Sequence, residues 1–370
     1  MIFACNRRWR AGQTSIQLEA HRQHADEAPH VNLKLLLKRG ALLAIANWQA
    51  VAIQFLAETT FQVLLAMPIL GAAVLVAVLV GGDLGDLLQG GLRDIVDRVA
   101  GALRSEPVAL SAFAIAVGIA LAGGSALMCL VKGGTLDILL AAHESAGPIE
   151  REPVTFDSLH SAAQFSLPRF MNGCVRLFRR YLGLGLALMC VYAVSGAAYL
   201  ASVVYGYRAT EGFVSVIGWT AIAAIATAVL ILWITCVNLF YLLLQIAMAA
   251  DDIGLSDASR SVARFVRSEL PTLARMFLII LAMVVGATLV SALAWSGVGL
   301  IAFVPLVGIA VFPLQVAALI VRGLAFEYIG LAAAVAYLTL YRRAPRTIEP
   351  TGATFIAARA GSPAGPAQGS

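Results

Sequence analysis

Ionisable side chains inside apolar runs are the residues of this chain best placed to do chemistry. A charge at the centre of a membrane helix costs about 2.5–3.5 kcal/mol on insertion scales, and it is retained where it binds, pairs or relays. Three residues qualify: Glu58 at the entrance of the first apolar run, and Arg322 and Glu327 in the last. Arg322 and Glu327 are five residues apart, too far round a helix for an ideal i, i+4 pair, so each needs a partner elsewhere in the fold. Arg322 is expected at the outer interface, anchoring a helix end by its long stem. Glu327 is expected in a buried packing pair.

A second group of candidates is basic. Arg260, Arg264 and Arg267 punctuate the stretch Asp257–Leu270, and Arg169, Arg176, Arg179 and Arg180 punctuate an earlier one. Arginines beside a charged leaflet attract anionic headgroups by about 1 kcal/mol each, and they also fix orientation with no further role. The two stretches resemble one another, since His160-Ser-Ala-Ala-Gln-Phe165 and Arg260-Ser-Val-Ala-Arg-Phe265 agree at three of six positions.

Other chemistries lack a complete set of residues. His21, His24 and His30, with Asp26 and Glu27, close no metal-ligand spacing. Asp251, Asp252 and Asp257 loosely resemble a magnesium-binding aspartate motif, but no second acidic set faces them from the same side. They read as one helix end and the acidic first turn of the next. Gly297-Val-Gly-Leu-Ile-Ala302 fits a permissive dinucleotide pattern without the strand that must precede it. No Gly-x-Ser-x-Gly elbow or His-Glu-x-x-His pair occurs. The five cysteines form no Cys-x-x-Cys pair, and no cofactor or metal is expected.

The elements that position these residues are membrane helices. The chain is 60% hydrophobic and 13% charged, where a soluble domain is roughly a quarter charged. Its apolar runs are continuous, without the alternation of a barrel strand. With about 20 apolar residues per crossing, an all-α protein with six spans is expected, at about 59–80, 108–131, 181–205, 219–243, 276–297 and 318–341. Amphipathic in-plane helices are expected at about 31–55, 156–178 and 256–270. Pro168 should kink or end the second of them. A polar tail (1–30) and a Pro/Gly/Ala/Ser-rich tail (344–370) flank this single membrane domain (31–343). Pro305, Gly308 and Pro313 predict an outer loop or re-entrant segment over 297–313.

Charge decides the orientation. With six spans, the N-terminal region, the 132–180 and 251–275 connections and the C-terminus hold 7, 6, 4 and 4 Lys/Arg, against 3 and 1 in the outer connections. Both termini are therefore expected in the cytoplasm, and the net charge of +5 is topological rather than a sign of nucleic acid. The arginine-over-lysine bias points to a bacterial inner membrane.

Lys132-Gly-Gly after the second span, the arginine-rich helices before the third and fifth, and the Leu338-Thr-Leu-Tyr-Arg-Arg343 ending carry a family resemblance. Over residues 31–343 the chain resembles uncharacterised bacterial polytopic proteins, including the membrane domain fused to glycerophosphodiester phosphodiesterases. The resemblance implies a helical membrane domain, and without the soluble hydrolase it carries over no catalytic residue. The expected function is a non-catalytic membrane protein, associated with lipids (anionic ones among them) or organising a complex through a cytoplasmic protein partner. A transporter or permease subunit with a cavity lined by Glu58, Glu327 and the 297–313 segment is the alternative. An intramembrane lipid enzyme using Asp251 and Asp252 is the third.

Overall fold

The computed structural model describes residues 32–80, 101, 107–151, 153–209, 213–302 and 307–343. The histidine-bearing N-terminal tail, the acidic connection at 83–97 and the C-terminal tail lie outside them. The described residues are all helical or connecting: α1 Leu33–Ala46, α2 Trp48–Val80, α3 Pro107–Ser145, α4 Phe156–Ala162, α5 Leu167–Ala209, α6 Phe213–Asp251, α7 Leu255–Ala302 and α8 Val307–Arg343. Six of them, α2, α3 and α5 to α8, are long and apolar enough to cross a membrane. This is a multi-pass membrane protein.

Each spanning helix packs against the next in the chain, and α8 returns to α2, closing the six into a ring. At 33–48 residues these helices run about 50–70 Å, well beyond the ~30 Å hydrocarbon layer. They pack unequally along that length. At the end bearing α1, Leu36, Leu43, Ile138, Leu177, Tyr181, Leu243, Met276 and Leu340 are fully or almost fully buried. Towards the other end the same helices expose Val194, Ile225, Val229, Leu289, Leu293 and Leu319. That surface suits lipid, where apolar side chains need no protein partner. Three polar pairs tie α5 to α6 in this half: Tyr192 with Asn238, Ser195 with Trp233 and Tyr199 with Thr227.

Small residues bring the backbones together at the packed end. A methyl group added at Gly173 on α5 would stand 2.6 Å from the Asp137 Cβ, and one at Gly133 3.1 Å from the Gly173 carbonyl oxygen. The Gly-Gly of the Lys132-Gly-Gly motif therefore serves the α3–α5 crossing.

Several boundaries differ from expectation. The 31–55 helix breaks at Asn47, whose buried side chain donates to the carbonyls of Leu43 and Ala162 and accepts from the Gln164 N–H. Its first half, α1, does not lie on the surface as a separate amphipathic helix. It packs against α8 with Leu36, Arg39, Gly40, Leu43 and Ala44 buried. The 156–178 helix divides at 163–166. Pro168 then falls in the first turn of α5, where its missing N–H costs nothing, so it starts a helix rather than ending one. The 256–270 helix, by contrast, does end near its expected boundary: Glu269 (φ −115°, ψ 20°) leaves helical geometry ahead of Pro271, and α7 is two helical pieces joined at that kink. Finally, α7 continues to Ala302 and α8 begins at Val307 with Pro313 inside it, so the segment expected as an outer loop or re-entrant piece is helical over 297–302 and 307–313, and 303–306 lie outside the described residues. Membrane helices tolerate internal proline where neighbours or water satisfy the freed carbonyl.

Candidate functional site

The second span is expected to end near Val131, and the helix that carries it, α3, continues to Ser145. Lys132 is therefore an internal helical residue, level with the ends of the apolar runs. Its ammonium lies 5.4 Å from the centre of the Tyr241 ring on α6, a cation–π contact. Glu327 on α8 faces Glu58 and Gln54 on α2, with Lys132 in Coulombic range but in no salt bridge with either carboxylate. Gln62, one helical turn beyond Glu58, donates to its carboxylate at 3.3 Å. The ring thus brings Glu58 and Glu327 together and adds Lys132. In hydrophobicity alone, Lys132 is just the first polar residue after an apolar run. The motif Lys132-Gly-Gly marked the place but gave no sign that the helix passes through it.

Two carboxylates and one ammonium leave one negative charge uncompensated if all three are ionised. A site of that composition is completed by one cation, a proton included.

Arg322 is elsewhere. It sits on the outside of α8, fifteen residues after its start at Val307, so it does not anchor a helix end. Its guanidinium packs over the Phe326 ring at 5.7 Å, and no carboxylate pairs with it among the described residues. It lines a groove of about 510 Å³ between α7 and α8, with Val290, Ala294, Trp295, Leu314 and Val321. Apart from Arg322, Gln315 and Ser291, the groove is apolar.

Arg260, Arg264 and Arg267 are exposed on the first turns of α7, while Ala258, Val262 and Phe265 on the opposite face are buried. This arginine-bearing face is remote from Glu58 and Glu327 in sequence and element. Only Arg260 has a carboxylate nearby, Asp257 at 3.4 Å, an exposed pair contributing little. The aspartates at the α6–α7 junction are already engaged: Asp251 accepts from the Tyr341 hydroxyl at 2.6 Å, and Asp252 pairs with Arg180 at 2.6 Å. No group of three metal-ligating side chains occurs among the described residues.

A polar cluster that the sequence did not announce joins α1, the α3–α4 connection and the end of α8. Arg39 and Glu150 form an ion pair at 2.7 Å, their side chains 8% and 3% exposed. Arg39 also donates to the carbonyls of His143 and Gly147 and to His143 Nδ1. Arg343 approaches Glu150 from the other side at 3.3 Å, and Lys38 donates to the Glu150 carbonyl. Burial pushes the Glu150 carboxyl up. A backbone hydrogen bond, Arg39 and Arg343 outweigh that and hold it below the ordinary carboxylate range. These partners are more than a hundred residues apart in the chain, so no local pattern could have paired them.

No protein-family model, curated protein or solved structure matches the chain.

Proposed function

We propose that this chain is a non-catalytic membrane protein that holds anionic lipid, the α7–α8 groove receiving an acyl chain and Arg322 its phosphate. One observation carries the reading: a guanidinium without a carboxylate partner stands on an apolar groove whose lining residues Val290 and Val321 are themselves exposed. An apolar channel ending in an unpaired cation complements an acyl chain ending in a phosphate. The unpaired Arg264 and Arg267 extend the same chemistry to the packed end, where they suit headgroups or the acidic surface of a partner in a complex. The Lys/Arg distribution supports a bacterial inner membrane with both termini in the cytoplasm.

Native mass spectrometry of gently solubilised protein tests this. Anionic phospholipid should remain bound, and Arg322→Gln should lower its occupancy at least about fivefold, the low end of couplings of 1–3 kcal/mol, with unchanged melting temperature. Recovery of a bare monomer, with neither lipid nor partner subunit, would sink the reading.

A second reading, a transporter or permease subunit, draws on Glu58, Glu327 and Lys132 meeting from three spans, an arrangement common on ion pathways. Groups that act as one site are energetically coupled. A double-mutant cycle of Lys132→Met and Glu327→Gln, read by thermal melting, should then give an interaction energy of about 1 kcal/mol or more. Additive effects within about 0.5 kcal/mol would remove the site and this reading with it.

A further inference from the structure

The ion pair between Arg39 and Glu150 forms the back wall of an open cleft of about 490 Å³ at the packed end, also lined by His143, Arg151, Arg342 and Arg343. We propose that this cleft binds a phosphate monoester dianion, carried by a soluble ester or by a lipid headgroup.

The charges point to an anion of that valence. Four guanidiniums, Arg39, Arg151, Arg342 and Arg343, face two carboxylates, Glu144 and Glu150, leaving an excess of two positive charges. Their hydrogen-bonding capacity is unequally used. Arg39 spends four of its five N–H donors on Glu150, two carbonyls and His143. Arg343 reaches Glu150 only at 3.3 Å, and Arg151 is exposed with no carboxylate partner among the described residues. Arg342 bonds Glu144 and the Ala250 carbonyl through one terminal nitrogen, while its Nε is buried and unpartnered. That nitrogen is closed off from solvent, so the donors open to a ligand are those of the exposed Arg151 and Arg343.

His143 supplies a neutral donor. The Arg39 Nε–H donates to its Nδ1 at 3.3 Å, which makes Nδ1 the acceptor and leaves the ring proton on Nε2. Several guanidinium donors and one imidazole N–H around an open space match the acceptor oxygens of a phosphate. A carboxylate would satisfy fewer of these donors and only half the excess charge.

Titration calorimetry on the full chain in phosphatidylcholine nanodiscs, with inorganic phosphate as the probe, decides the matter. Saturable binding is expected. Arg151→Gln, which disturbs no contact described above, should weaken it about tenfold, whereas Arg208→Gln, an exposed arginine in the last turn of α5 and outside the cleft, should leave it unchanged. Phosphatidic acid in the nanodiscs distinguishes the sources. Competition with phosphate assigns the site to a lipid headgroup, and undiminished phosphate binding assigns it to a soluble ester. Absence of saturable binding by folded protein, or equal loss in the Arg151 and Arg208 variants, overturns the proposal.

Discussion

Replacing Arg39 by alanine is expected to destabilise the protein by about 3–5 kcal/mol, the usual result of removing one member of a buried ion pair. Glu150 is 3% exposed, and the variant leaves its carboxylate with a backbone hydrogen bond and the longer contact to Arg343. The carbonyls of His143 and Gly147 lose a charged donor as well. Thermal or denaturant unfolding in detergent measures the effect, and a loss below about 1 kcal/mol would show that the pair carries little. Acid should act in the same direction. The folded-state pKa of Glu150 lies below its ordinary value, so its stabilising contribution is complete above the unfolded pKa of about 4.3 and is lost as pH falls through the folded value. Glu150→Gln should flatten the acid limb of the melting profile.

Gly40→Val is expected to destabilise by about 3 kcal/mol, at the upper end of the range for overpacking. A Cβ at Gly40 would stand 2.3 Å from the Ala332 carbonyl oxygen and 3.3 Å from the Ala336 Cβ. The first obstacle is backbone, which no rotamer change can move, so α1 and α8 must separate. They also share Leu43, Ala44, Leu331 and Val335 in one apolar cluster, and separation exposes it. Gly71→Ala is the control. It lies in α2 with nothing within 4 Å of the added methyl, and should stabilise by roughly 0.5–1 kcal/mol through helix propensity. Equal effects at the two glycines would show that the α1–α8 approach is not close.

Gly40 and Arg39 also show where reading the sequence stopped. Lys38, Arg39 and Gly40 interrupt an apolar segment, and periodicity alone assigned that segment to the membrane surface, with its charges in water. The alternative was a helix buried against α8 whose one buried arginine is neutralised from residue 150. Both produce the same local pattern. Lys132 was misplaced for a related reason: a hydrophobicity boundary and a helix end coincide only when a helix stops at the membrane, and α3 continues for thirteen more residues to Ser145.

The apolar runs, their lengths and the prolines and glycines between them determined, unaided, that this is an all-helical chain with six membrane-spanning segments. Insertion into a bilayer depends on composition over about 20 residues, a property local to each segment. The sequence also singled out Glu58, Glu327 and Arg322, because a charge in an apolar run stands out without reference to anything else. Only the tertiary structure decided their partners. It set Glu58 and Glu327 side by side with Lys132, left Arg322 alone on a groove between α7 and α8, and built a polar wall from Arg39, His143 and Glu150. Electrostatic pairing depends on distances across the ring, fixed by which helices pack and in what register. Those distances follow from contacts such as Gly40 against Ala332 and Gly133 against Gly173, between residues that give no local sign of each other.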